Sequence, residues 1–270
     1  MHDMPIGPAR RVRHDLKFRR LTVRAVTQLT PGMVRTHLAG DLSGFVSLGF
    51  DDHLKVLLPM PGQDEVSAPV FSDTGASFPD GQRPYARDYT PRAWNVEAGT
   101  LDLDFALHET GPATSWARSA KAGDTLAIAG PRGSLIVPAD YDHHVLIGDE
   151  TALPAIGRRL EELPSGVRAT AIVEIANAAE EQPLQTSARL ELTWAHRGDA
   201  EAGASPVLIE AARRVKLTGG DVYVWTACES LNARAVRKVL IEERGLDKSQ
   251  IRAAGYWRRG AQGVHEPQHG

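Results

Sequence analysis

His144-Val145-Leu146-Ile147-Gly148-Asp149-Glu150-Thr151-Ala152-Leu153-Pro154-Ala155 is the run whose reading decides the fold. An apolar strand passes, through three polar residues at its carboxyl end, into a helix expected over Ala152 to Leu163. Continuous rather than alternating apolar character marks a strand covered on both faces, as in a parallel sheet. From here onward strands and helices alternate. Arg168 to Ile175, Leu190 to Trp194 and Asp221 to Trp225 read as strands. Ser205 to Lys216, with Val207, Leu208, Ala211 and Val215 at helical spacing, and Asn232 to Arg244 read as helices. This is α/β architecture, in which ligands bind outside the carboxyl ends of the strands.

Upstream of Pro138 the pattern changes. From Phe18, Leu21, Val23 and Ala25 alternate with Thr22, Arg24 and Val26; Thr30-Pro31-Gly32 turns the chain, and Met33 to Leu38 returns. His53 to Leu58 is a short strand stopped by Pro59, and residues 60–83, rich in Pro, Gly, Asp and Ser, read as a long loop. Arg87-Asp88-Tyr89-Thr90-Pro91-Arg92 is extended, and Leu101 to His108 alternates cleanly. Gly111-Pro112-Ala113 precedes one or two helical turns over Thr114 to Ala120; Thr125 to Ala129 is a last strand before Gly130-Pro131-Arg132-Gly133-Ser134. Short strands separated by turns predict a small barrel. The expected fold class is therefore β followed by α/β: an N-terminal antiparallel Greek-key β-barrel, then a C-terminal parallel-sheet, nucleotide-binding-like domain. The expected divisions are a mobile arm at 1–15, the barrel at 16–138, the α/β domain at 139–262 and a tail at 263–270.

The chain has 270 residues, 42% of them hydrophobic and 24% charged, which suits two modest domains with ordinary cores. No apolar run approaches the roughly 20 residues that span a bilayer, and the basic start has no apolar segment behind it. One cysteine, Cys228, excludes an internal disulfide and any multi-cysteine metal site. The His143-His144 pair lacks a ligand spacing, so no metal centre is expected. A net charge of −3 argues against a general nucleic-acid binder. The expectation is a cytoplasmic, monomeric protein with neither nucleic acid nor membrane as partner.

Residue chemistry leaves two readings of Arg87 to Arg92, a polar edge strand with a turn proline or a segment that holds a large flat, phosphate-bearing ligand. The Arg87 guanidinium can hold a phosphate in its planar fork, the Tyr89 phenol can stack on a flat ring, and the Thr90 hydroxyl can reach a ring heteroatom. Period two puts Arg87 and Tyr89 on one face and Asp88 and Thr90 on the other, so a twist near Pro91 is needed to bring Thr90 round. Asp104 and His108 share a strand face on the same count. Gly111 permits close approach of backbone to ligand, and the amides of Ala113, Thr114 and Ser115 would make an anion site. Thr114 and Ser115 serve equally as plain helix caps, as do Asp149, Glu150 and Thr151. Trp116 either packs on a ligand or fills the barrel base.

Arg87-Asp88-Tyr89-Thr90 is similar to the Arg-x-Tyr-Thr flavin signature of the siderophore-interacting protein family, within the ferredoxin-reductase-like flavoproteins. Asp104-Phe105-Ala106-Leu107-His108 with Gly111 to Ala117 resembles that family's second flavin segment. The Gly130–Ser134 turn, Gly148 to Ala155, Trp225-Thr226-Ala227-Cys228-Glu229 and Gly255-Tyr256-Trp257-Arg258-Arg259-Gly260 follow in the family's order. The resemblance spans about Phe18 to Gly260. It implies FAD on the barrel, with its ring facing the parallel-strand ends, and NADPH or NADH as electron donor. Arg87 would meet the flavin phosphates, Tyr89 and Thr90 the isoalloxazine, and His108 the pyrophosphate or ribose. Asp149 and Thr151 would lie beside the ring or a nicotinamide ribose, and Tyr256 or Trp257 would cap a ring face or anchor the C-terminal segment.

Glu150, Ala227, Cys228 and Glu229 would approach the nicotinamide nucleotide. Many nicotinamide-dependent relatives carry a Cys-Gly-Pro-like turn at this second loop, and here an acid, Glu229, stands in it. Arg197 and Arg213 are candidates for reading a 2′-phosphate. Lys55, Arg132 and Arg258 would meet an anionic ferric siderophore, or else are solvated surface cations. The implied function is a ferric-siderophore reductase, in which Fe(III) is reduced and leaves its hard oxygen ligands as Fe(II). General diaphorase or quinone reductase activity, and siderophore or flavin binding without turnover, are the alternatives. The cofactor carries the redox chemistry, so no catalytic side chain is required.

Overall fold

Strands of alternating burial build the first of two units into which the chain divides, Arg10–Ile136 and Val137 onward with Met1–Ala9. The computed structural model describes residues 9–72, 75–79, 81, 83–108 and 111–260, and the backbone of 266–267. In the first unit the elements are β1 (Arg10–Arg13), β2 (Phe18–Thr30), β3 (Met33–Ala39), β4 (Leu54–Leu58), β5 (Val70–Ser72), β6 (Gly75–Ser77), β7 (Tyr85–Tyr89), β8 (Pro91–Asn95), β9 (Thr100–Ala106), α1 (Pro112–Ser119), β10 (Thr125–Ala129) and β11 (Gly133–Ile136). The main sheet runs β7-β4-β10-β2-β3-β9-β8, antiparallel throughout. Its two ends, β7 and β8, are consecutive pieces of chain joined at Thr90, so one bent segment closes the barrel. Inside it, Leu21, Val23, Leu54, Val56, Leu101, Leu103, Phe105 and Ile128 form the core.

Three differences from expectation have physical causes. Arg10–Arg13 is not a free arm; it pairs antiparallel with β11, whose backbone supplies a ladder that the polar sequence does not advertise. Within 60–83, β5 and β6 pair as a small hairpin with no buried apolar face to betray it. Strand β9 ends at Ala106, so His108 lies beyond it and does not share Asp104's strand face.

The second unit comprises β12 (His143–Asp149), a 3-10 turn at Glu150–Ala152, α2 (Leu153–Glu162), β13 (Arg168–Ile175), β14 (Arg189–His196), α3 (Val207–Arg214), β15 (Val222–Glu229), α4 (Ser230–Glu242), β16 (Ile251–Trp257) and β17 (Glu266–Pro267). The sheet order is β14-β13-β12-β15-β16-β17, parallel except for β17. Central β12 and β15 are buried along their whole length, as two covered faces require, whereas edge strand β14 alternates. Helices α3 and α4 close one face over Val145, Ile147, Val224 and Cys228. Strand β16, whose Gly255-Tyr256-Trp257 is expected only as a C-terminal segment, is a full member of the sheet.

Candidate functional site

On the barrel, β7 lies against β4 with Arg87 opposite Val56, Asp88 opposite Lys55 and Tyr89 opposite Leu54. Past Thr90 the chain changes partner, from β4 to β9, and the register slips between Pro91 and Ala93. That is the bend which the alternation of Arg87-Asp88-Tyr89-Thr90 requires. Arg87 is half-buried and donates from Nη1 to the Ala86 carbonyl at 2.9 Å. Tyr89 lies against Phe105, ring centroids 4.3 Å apart, and Phe105 against Trp116 at 5.5 Å, a continuous aromatic run from strand to helix. Burial pushes the Tyr89 phenol above its ordinary value, with the Arg87 charge opposing, so it stays a neutral donor. Trp116 packs, partly buried, on the barrel core.

Asp104 is 5% exposed and held by Arg35 through two hydrogen bonds, Nε to Oδ1 at 2.6 Å and Nη2 to Oδ2 at 2.8 Å. Arg92 adds a second charge at 4.0 Å. Its carboxylate is thus the partner of a cross-strand arginine, and Phe105 beside it is fully buried. Neither Arg35 nor Arg92 is an expected site residue; the alternating strand Met33–Ala39 gives no hint that its arginine points to an acid.

Gly111, with φ 141°, is the residue before helix α1, whose start has no side-chain cap. Thr114 and Ser115 are therefore not caps. The Thr114 hydroxyl accepts from the His108 amide at 3.3 Å, and the Ser115 amide donates to the Gly111 carbonyl at 2.9 Å. Of the expected anion-binding amides, those of Ala113 and Thr114 remain at the helix start. The space where a Gly111 side chain would begin has nothing within 4 Å, and its positive φ disfavours any side chain. On the rim, Lys55 is exposed and its Nζ is 2.7 Å from Asp88 Oδ1. Arg132 is exposed three residues beyond Ala129, the β10 partner of Lys55.

In the second unit the carboxyl ends of the parallel strands carry a buried acidic cluster. Asp149 is the hub. Its Oδ1 accepts from Thr151 N at 3.0 Å and Thr151 Oγ1 at 2.5 Å; its Oδ2 accepts from Trp257 Nε1 at 2.7 Å and Glu229 N at 3.1 Å. Burial and the neighbouring Glu150 raise its carboxyl to about 6, against the hydrogen bonds from Thr151 and Trp257. Glu150 forms a bidentate pair with Arg197, at 2.9 and 2.8 Å. Glu174, 1% exposed at the end of β13, is pushed to about 7 by burial and Asp149. It is not among the expected residues, although a single acid closing the apolar run of β13, alongside Asp149 on β12, is its signal.

Glu229, also 1% exposed, ends β15 and caps α4, its Oε2 accepting from Leu231 N at 2.6 Å and Asn232 N at 3.1 Å. Burial and the acids around it push the Cys228 thiol well up, so it is no thiolate nucleophile. Ala227 is fully buried. Tyr256 stands edge-on to Trp225 at 6.0 Å, and Arg258 is exposed. Arg213 pairs with Glu243 at 2.9 Å on the outside, away from the strand-end cluster. Among the expected residues, Asp149, Glu150, Thr151, Glu229 and Trp257 are thus one connected group, to which Glu174 and Arg197 belong.

Known proteins resemble the chain along nearly its whole length. A model of the siderophore-interacting FAD-binding domain matches residues 22–135, and one of the siderophore-interacting protein matches residues 141–260. An NADPH-dependent ferric-chelate reductase of Escherichia coli is 34% identical over 261 residues, covering 95% of this chain and 99% of that protein. The ferric vibriobactin reductase ViuB of Vibrio cholerae is 30% identical, covering 89% and 90%. A siderophore utilization protein from T. fusca superposes with a TM-score of 0.88 at 40% identity, covering 95% of this chain and 98% of that one. The chain belongs to the siderophore-interacting protein family, with its FAD-binding domain first and its α/β domain second.

Proposed function

We propose that this protein is an FAD-dependent reductase of ferric siderophores, driven by NADPH or NADH. The observation that carries the reading is full-length similarity to an NADPH-dependent ferric-chelate reductase, with an FAD-binding domain model on the barrel. When bound, FAD supplies hydride acceptance from a two-electron donor and release of single electrons to Fe(III). The barrel fits such a group on one feature of its own: the start of α1 presents helix-initial amides, and Gly111 before them carries no side chain to obstruct a phosphate.

The residues divide the work. Arg87, with the α1 start, would hold the phosphates; Tyr89 and Thr90 would orient the ring, and Phe105 and Trp116 would support Tyr89 from behind. Asp88 and Asp104 act through their cations, Lys55 and Arg35, and His108 through its amide hydrogen bond to Thr114. Asp149, through Thr151, Trp257 and Glu229, fixes the rim of the parallel sheet. Tyr256 lies against Trp225 at that rim. Lys55, Arg132 and Arg258 would attract an anionic ferric chelate. No helix among the described residues is long and apolar enough to cross a membrane; action as a cytoplasmic monomer completes the proposal.

The reading is tested by anaerobic turnover of flavin-loaded protein with NADPH, using a ferric tris-catecholate and an Fe(II)-specific chelator, beside a quinone acceptor. Faster electron delivery to the ferric complex is expected. Turnover of the quinone alone would leave a general diaphorase.

A further inference from the structure

Strand β1 is anchored by the residues it turns inward, and the fold gives no use to those it turns outward. Val12 lies opposite Ser134 and Arg13 opposite Gly133, where a Cβ would come within 2.6 Å of the Val12 carbonyl oxygen, so the pair needs glycine to lie this close. His14 Nε2 is 2.7 Å from Ser134 Oγ. That hydroxyl donates its one hydrogen to Asp52 Oδ2 at 2.6 Å and accepts from the Leu48 amide at 3.0 Å, so His14 is a donor to it. Asp52, 3% exposed, accepts further from Ser47 Oγ and the Gly49 amide. A buried polar chain thus fixes the arm in one place on the barrel.

Period two turns Arg11 and Arg13 to the face opposite Val12 and His14, and both are exposed. The His14 amide donates to the Arg132 carbonyl at 3.0 Å, which brings exposed Arg132 within one ladder step of Arg13. Among the described residues no acid pairs with Arg10, Arg11, Arg13 or Arg132, although the chain as a whole has a net charge of −3. Like charges side by side destabilise a strand pair. Nothing in the fold offsets that repulsion, whereas a bound anion would. The spacing says which kind. Alternate residues of a strand stand about 7 Å apart, too far for one phosphate to occupy both guanidinium forks and suited to a bulky anion with charge spread around it.

We propose that β1 is part of the substrate seat: Arg11 and Arg13, with Arg132, form a cationic rim that receives an anionic ferric tris-catecholate and favours it over neutral ferric hydroxamates. The inference rests on the ferric-siderophore reading and adds to it a substrate class and an element outside the expected site. Because the arm is ordered before the ligand arrives, binding loses little conformational entropy. Because these cations act on the substrate's overall charge, they govern its binding and leave electron transfer within the complex unchanged.

The test is an equilibrium titration of the oxidised, FAD-loaded protein with two redox-inert probes. One is the trianionic Ga(III) complex of a hexadentate tris-catecholate, the other a neutral Ga(III) tris-hydroxamate. Wild type is compared with Arg11→Ser/Arg13→Ser and with Arg11→Lys/Arg13→Lys, flavin content and melting temperature being recorded for each. The serine variant should bind the trianion about tenfold more weakly and the neutral complex as wild type does; the lysine variant, which keeps the charge, should stay within about threefold of wild type for both. With the ferric complexes the same split should appear as a raised KM at unchanged kcat. Equal loss for both probes in folded, flavin-replete protein, or loss for neither, overturns the proposal. If wild type binds neither Ga(III) complex and neither ferric complex reoxidises the reduced flavin, the ferric-siderophore reading itself falls. Trianion binding that is measurable yet indifferent to residues 11 and 13 removes only the role of β1.

Discussion

Arg87 and Asp104 show how differently two charged residues of one barrel are used. Arg87 is half-buried and donates a local hydrogen bond to the adjacent Ala86 carbonyl. Asp104 is fully engaged by Arg35 across β3 and β9. The two therefore respond differently to substitution. Arg87→Ala should leave folding nearly unchanged and weaken FAD about 10- to 100-fold, as loss of a charge-assisted hydrogen bond to phosphate predicts. Equilibrium flavin titration with a parallel melt checks it; full affinity in the variant would remove Arg87 from the site. Arg35→Ala strands a buried carboxylate and should cost about 3 kcal/mol or more of stability, read from the urea midpoint. Asp104→Asn in the same background should restore part of that loss, since it removes the stranded charge.

Among the elements, the ones legible in the sequence are those whose burial follows from their own residues. Strands β2, β3, β9, β12 and β15 carry their period or their continuous apolar run on their face. The pairing of β1 with β11, the β5–β6 hairpin and the place of β16 in the sheet depend on partners distant in sequence, and no local pattern carries that information. The candidate site divides in the same way. Arg87, Tyr89, Gly111 and Asp149 stand in short motifs, whereas Arg35, Glu174 and Arg197 acquire their meaning only when strands are set side by side. The strand-end cluster also has a pH signature. Glu174 is raised from 4.5 to about 7, so the folded state holds its proton more tightly, and this contribution to stability fades as pH rises through 7. Asp149, raised from 3.8 to about 6, acts in the same direction at lower pH. His144, lowered to about 3, opposes both by losing stability as pH falls below 6.5. The difference between Glu174→Gln and wild type isolates the acid: the variant's melting temperature should gain on wild type progressively from pH 5 to 8. A constant difference across that range would show that Glu174 does not titrate there.

The molecule as a whole carries a net charge of −3, which repels an anionic chelate, while the proposed substrate cations are local. Lys55 is moreover paired with Asp88, which weakens its reach. Ionic strength discriminates between the two influences. If Lys55, Arg132 and Arg258 govern encounter, kcat/KM for an anionic ferric complex falls as salt is added, and Arg132→Ser flattens the dependence. If net charge governs, kcat/KM rises with salt. The central claim, that electrons pass from a nicotinamide donor through FAD to siderophore iron, is tested most directly by one spectrophotometric sequence. Purified, FAD-loaded protein is mixed anaerobically with one equivalent of NADPH, then with a ferric tris-catecholate and an Fe(II) chelator. The account predicts that the visible flavin bands bleach on the first addition and return on the second, with two Fe(II) formed for each flavin reoxidised. Flavin that bleaches but stays reduced in the presence of the ferric complex would contradict it.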